Sequence, residues 1–190
     1  AAIPFLLLPL LTQYLSPSDY GILSSVNALI NLMIPIIGLN LMTALQVVYV
    51  KESMDFSKYI STGIWTLLVL VILTSIILIF FADRIEQLLS VPKEYIRLIA
   101  IYAFYQNVVE TLLSIWRMQN KALSYGLFRI TRTVLELSIA IVLIVVYDFH
   151  FDGAIMGLSY SYGIAALLAL FVMWRQKWLI VYWDLDHFKH

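Results

Sequence analysis

The chain has 190 residues, of which 62% are hydrophobic and 13% charged, with a mean hydropathy of +0.90. Soluble domains carry charge on about a quarter of their residues, so this composition excludes a water-soluble fold. The absence of cysteine excludes disulfides, thiolate metal sites and cysteine nucleophiles. Twelve basic and twelve acidic residues give a formal net charge of +0, which removes the bulk electrostatic case for nucleic acid.

Crossing a bilayer takes about 20 predominantly apolar residues. By that measure the chain reads as an all-α polytopic membrane helix bundle with about six transmembrane helices, over residues 1–11, 20–49, 60–82, 94–116, 129–147 and 153–174. The first is short: 11 residues span only about 16 Å, and Ala1-Ala2-Ile3-Pro4 offers no starting Met or basic leader, so the chain is read as beginning inside that helix. Ser16-Pro17-Ser18-Asp19 is turn and capping chemistry ahead of the second helix. Along that helix Asn27, Asn31, Pro35 and Gly38 recur on one side, which needs water or protein cover rather than lipid.

Charge placement orients the bundle. Lys51, Lys58, Arg117, Lys121, Arg129, Arg132, Arg175, Lys177 and Lys189 fall at one end of the expected helices, against Arg84, Lys93 and Arg97 at the other. The first end is therefore cytoplasmic by the positive-inside rule, and Trp65, Trp116, Trp174, Trp178 and Trp183 sit near that same face, where indoles favour the headgroup layer. Residues 175–190 read as an amphipathic cytoplasmic linker. Residues 1–174 form the bundle.

The fourth helix places Tyr102, Gln106, Glu110, Ser114 and Arg117 along one face, widened by Asn107 and Thr111. A carboxylate inside a membrane helix costs several kcal/mol unless it meets water, a partner or a proton. Glu136 lies seven residues beyond Arg129, as Glu110 lies seven before Arg117, which sets both carboxylates at one depth, about 10 Å below the basic end. That layer suits a coupling proton or Na⁺ if it lines a lumen. Simple pairing of Glu110 with a neighbouring helix, or of Glu136 with Arg132 at i, i+4, is the other use of the same residues. Arg117, Lys121, Arg129 and Arg132 gather at the mouth of the expected hairpin, where guanidinium forks suit phosphate oxygens and equally suit anionic headgroups. Asn27, Asn31, Tyr102 and Gln106 can hydrogen-bond or stack on sugars, or bond helix to helix. Gly153 and Gly157 form a GxxxG that favours close packing, and Asp184, Asp186, His187 and His190 read as ordinary membrane-flanking polar residues rather than a metal set. Phosphate-cradling Gly-rich loops, GxSxG and metalloprotease spacing are all missing, and no cofactor is called for.

The run Leu11-Thr12-Gln13-Tyr14-Leu15-Ser16-Pro17-Ser18-Asp19-Tyr20-Gly21, followed by an apolar stretch and Gly38-Leu39, resembles the first loop and second helix of bacterial polysaccharide (O-antigen type) flippases, in the multidrug/oligosaccharidyl-lipid/polysaccharide exporter superfamily. Helix order and loop lengths continue the resemblance to about Trp183. Two positions depart from the pattern: Gln13 stands where a basic residue is common, and Gln46 and Val47 stand where an Arg is common. The resemblance implies one lobe of a two-lobe, alternating-access exporter in the bacterial inner membrane, with a lipid-linked glycan as substrate and a second, C-terminal helix bundle as its partner. A drug or cation exporter of the same superfamily is the nearest alternative. An integral-membrane glycosyltransferase or polymerase is the alternative from another class, though such enzymes generally place catalytic residues in larger extramembrane loops. The charge asymmetry predicts that single cysteines replacing Ser90 and Asn120 label from opposite sides of the membrane with an impermeant maleimide; labelling from one side would refute the orientation.

Overall fold

The computed structural model describes residues 16–39, 41–51, 56–147 and 149–179. Among them there are six α-helices and no strand: α1 (Pro17–Gly38), α2 (Leu41–Lys51), α3 (Phe56–Leu89), α4 (Lys93–Met118), α5 (Ala122–Ile141), which continues as a π-helical turn over Val142–Val146, and α6 (His150–Arg175). The helices expected over 60–82, 94–116 and 153–174 correspond to α3, α4 and α6. The expected 1–11 helix, the linker beyond 179 and the 184–190 polar residues lie outside the described residues.

Four helices are long and apolar enough to cross a membrane: 17–38, 56–89, 93–118 and 152–175. This is an all-α bundle of a membrane protein. Helix α5 carries Arg129, Arg132 and Glu136, which keeps it off that set, yet with its π turn it covers residues 122–146, about 37 Å.

Helix α4 is the axis. It packs against α1, α2, α3, α5 and α6, while α5 is held chiefly by α6. The least apolar of the four spans is thus the most enclosed: 67% of its apolar window is buried within the protein, against 22% for α1, 22% for α3 and 33% for α6. Lipid takes the remainder, along stripes such as Ile72, Ile76, Phe80 on α3 and Leu123, Leu127, Ile130, Val134 on α5, all exposed.

The helix expected over 20–49 is two helices. A single one would run about 45 Å, well beyond the roughly 30 Å hydrocarbon core. Ser16 and Asp19 start α1 with a reciprocal capping box: the Asp19 N–H donates to Ser16 Oγ at 3.2 Å and the Ser16 N–H to Asp19 Oδ2 at 3.1 Å. Pro35 then removes one rung of the helix ladder, and Leu39 turns left-handed (φ 40°, ψ 38°), which ends α1. For a residue with a β-carbon that conformation costs about 1 kcal/mol.

The expected loops 83–93 and 117–128 shrink to 90–92 and 119–121. Charged and polar residues end the apolar span there without ending the helix, because Glu, Arg, Gln and Leu are good helix formers. The reversals are made instead by single left-handed residues, Ser90 (φ 54°) and Asn120 (φ 54°), and Lys177 (φ 58°) ends α6 the same way. Helices α4 and α6 finish alike, each with a Trp-Arg pair near its end. The Lys121 N–H donates to the Trp116 carbonyl at 2.9 Å and the Trp178 N–H to the Met173 carbonyl at 3.0 Å, the six-to-one closure that satisfies orphan carbonyls.

The two helices also run parallel in a steady register. Tyr95 donates to Asp152, and Tyr102 hydrogen-bonds Ser159, both pairs 57 residues apart. One end of the bundle accordingly collects Asp19, Lys93, Tyr95 and Asp152. The other collects Ser61, Trp116, Lys121 and Trp178: Ser61 Oγ donates to the Trp178 carbonyl at 3.4 Å, and Lys121 Nζ stands 6.0 Å from the Trp178 ring.

The GxxxG of α6 packs closely, as its spacing suggested. A β-carbon on Gly157 would lie 2.8 Å from Ala140 Cβ and 2.9 Å from the Ala140 backbone, and one on Gly153 would lie 3.1 Å from the Ile144 backbone nitrogen. Helix α5 therefore lies flush on α6. Gly157→Ala should destabilise the protein by about 1–3 kcal/mol, because backbone cannot give way as a side chain can. Gly126→Ala, whose β-carbon meets nothing within 4 Å, should be neutral or stabilising by up to about 1 kcal/mol. Unfolding of detergent-purified protein followed by circular dichroism separates the two.

Candidate functional site

Helix α5 carries two stripes with the same spacing. Leu123, Leu127, Ile130 and Val134 step by four, three and four, and all are exposed. Tyr125, Arg129, Arg132 and Glu136 repeat those steps two residues later, which turns them about 200° round the helix, away from the lipid stripe.

The second stripe meets α4 at its mouth and α6 at depth. At the mouth, Arg117 from α4 and Arg129 from α5 share one ring: their guanidinium carbons stand 5.5 and 5.9 Å from the Tyr125 centroid, and Arg129 Nη1 donates to the Tyr125 hydroxyl at 2.7 Å. Both arginines are exposed. Neither has a carboxylate partner among the described residues. Deeper in, Arg132 Nη1 lies 2.9 Å from Glu136 Oε2 with both side chains largely covered, 15% and 20% exposed, and the Arg132 guanidinium sits 4.3 Å over the Tyr162 ring of α6. The Tyr162 phenol stands in the field of Arg132, Glu136, Glu110 and Arg129 together, which brings the two glutamates into one neighbourhood. The i, i+4 pairing of Arg132 with Glu136 is formed. Glu110 is half-buried and makes no ion pair among the described residues.

The polar residues of α4 divide into two groups. Asn107 is 4% exposed and its Nδ2 donates to the Ile34 carbonyl of α1 at 3.1 Å and to the Ala103 carbonyl at 2.9 Å. Thr111 donates to the Asn107 carbonyl at 2.8 Å, and Tyr102, 5% exposed, is bonded to Ser159. These hydroxyl and amide groups are spent on helix packing. Gln106 and Glu110 are half-buried and Arg117 is exposed, so the α4 stripe opens progressively toward its basic end. On α1, Asn27 is half-buried and Asn31 exposed. Tyr125 and Tyr162 were not singled out by the sequence pattern, although both belong to the cluster. The available signal was the four-residue step from Tyr125 to Arg129; Tyr162 sits in a Ser-Tyr-Ser-Tyr-Gly tract that reads as packing.

What the arrangement offers chemically is anion recognition at the mouth, through two guanidinium groups, and a carboxylate at depth, none of the three ion-paired among the described residues. Among the described residues no group of histidine and carboxylate side chains could hold a metal ion. No protein-family model, no curated protein and no solved structure matches the chain.

Removing one partner of the Arg132–Glu136 pair leaves a poorly solvated charge, whereas removing both does not. Glu136→Leu should thus destabilise the protein more than the double change Arg132→Leu with Glu136→Leu, with a coupling of about 0.5–3 kcal/mol in a double-mutant cycle. Additive single effects in detergent unfolding would show that the pair contributes nothing.

Proposed function

We propose that the protein is a membrane transporter that moves an amphiphile with an anionic head, a lipid-linked oligosaccharide, across the bacterial inner membrane by alternating access, and that this chain is one lobe of it. The supporting observation is the charged stripe of α5. A bundle built only to sit in lipid has no use for Tyr125, Arg129, Arg132 and Glu136 aligned away from the lipid stripe and toward Glu110 and Tyr162. The resemblance of residues 11–39 to polysaccharide flippases supplies the substrate class, and the basic mouth suits the diphosphate of such a carrier.

In this reading Arg117 and Arg129 receive the phosphates, the Tyr125 ring keeps the two guanidinium groups side by side, and Gln106 and Glu110 border the path of the polar head. Glu110, which makes no ion pair among the described residues, is the group available to a coupling proton or Na⁺. The connections 90–92 and 119–121 are too short to hold the catalytic loops of a glycosyltransferase.

The test is flipping by the full-length protein in liposomes, using a fluorescent lipid-linked glycan and an impermeant quencher. Arg117→Ala with Arg129→Ala should weaken capture by about tenfold or more, since each lost charged hydrogen bond removes roughly 1.5–3 kcal/mol. Unimpaired flipping would reject the assignment of the mouth. New glycosidic bonds in the product would reject transport in favour of a transferase.

A further inference from the structure

We propose that Leu39 is a hinge, and that α2 swings on it as a flap at the basic end of the bundle while α1 stays fixed to α4. This rests on the backbone and packing around the α1–α2 break and does not depend on which substrate is carried.

The two sides of the break are held very differently. Helix α1 buries Val26, Ile30, Ile37 and Gly38, and its last turn is latched to the central helix, because Asn107 donates to the Ile34 carbonyl and Gly38 lies against the Asn107 amide. A β-carbon at Gly38 would run into Asn107 Oδ1, so the glycine lets α1 approach α4 closely at this point. Immediately beyond the latch, Leu39 takes a left-handed conformation that favours glycine, and its side chain is 61% exposed.

Helix α2 is held at few points. Among its described side chains Leu45 is buried, Gln46 and Val47 are exposed, and the exposed Tyr49 packs edge-on against the Phe56 ring of α3 at 5.4 Å. Its first residue, Leu41, rests on the Gly63 face of α3, where a β-carbon would lie 2.6 Å from Leu41 Cδ1. Gly63 is two residues from Ser61, which contacts Trp178, and Lys121 covers the Trp178 ring, so α2 sits at the end of the bundle that carries Arg117, Lys121 and Arg129. A helix of 11 residues is a lever about 16 Å long. Rotation at Leu39 that parts Tyr49 from the Phe56 ring moves the far end by several ångströms across that end of the bundle.

These 190 residues contain no cysteine, so introduced thiols are the only ones within them. The experiment places spin labels in pairs on the full chain in lipid nanodiscs and reads distances by double electron–electron resonance. Ile164→Cys on α6 serves as the reference, paired with Gln46→Cys on α2 or with Ala28→Cys on α1. The expected result is one narrow distance for the α1 label and a broad or two-peaked distribution for the α2 label, broadened further by Leu39→Gly with the α1 distance unchanged. A Gln46 distribution as narrow as that of Ala28 in the native background overturns the hinge, whatever Leu39→Gly does. Equal broadening of both labels overturns it too, since the whole of α1–α2 would then be moving.

Discussion

The fold depends on one constraint: polar groups on a helix that crosses hydrocarbon must be met by protein. Helix α4 is the least apolar of the four spans, and it is the one the others surround. Tyr102, Asn107, Thr111 and Ser114 are 5%, 4%, 0% and 3% exposed, so these uncharged polar side chains are almost completely covered. The surrounding helices follow from that requirement. Helix α1 offers the Ile34 carbonyl and a glycine edge to Asn107, α6 offers Ser159 to Tyr102, and α3 closes the remaining side through a short reversal at Ser90.

Covering α4 does not use up every polar group. Gln106 and Glu110 stay half-buried and Arg117 is exposed, on the side where α5 turns its own charged stripe. Helix α5 tolerates that stripe because Arg132 and Glu136 neutralise each other and because the Tyr162 ring receives the guanidinium, a contact worth more as water is excluded. The result is a graded environment. Among the described residues, unpaired cations stand at the mouth, a paired cation and anion lie further in, and an unpaired carboxylate stands close to them.

Much of this architecture was legible in the sequence, and the gaps have physical causes. Apolar runs gave the positions of α3, α4 and α6, because transfer to lipid depends on composition over a window and little else. The ends were misjudged because polarity marks where the bilayer stops, not where a helix stops: Asp83–Leu89 and Ala122–Phe128 remain helical through polar residues. The break at Leu39 was hidden by an unbroken apolar run, although Pro35 and Gly38 both precede it. Within the charged cluster, the i, i+4 spacing of Arg132 and Glu136 was sufficient to find their pair. Tyr162 was not findable in the same way, since its role arises from the register of α6 against α5, a long-range property that no local pattern carries.

The contact of Gly157 with the backbone of Ala140 has an evolutionary consequence. At that point two helix backbones fill the space, so neither position can grow without the other moving, and even glycine at 140 would leave its backbone N and Cα 2.9 Å from a methyl group at 157. Descendants of this chain would inherit the two small residues as a linked pair, and drift in size would be confined to the lipid-facing side of the same helices, where Leu123 or Leu167 can change bulk freely.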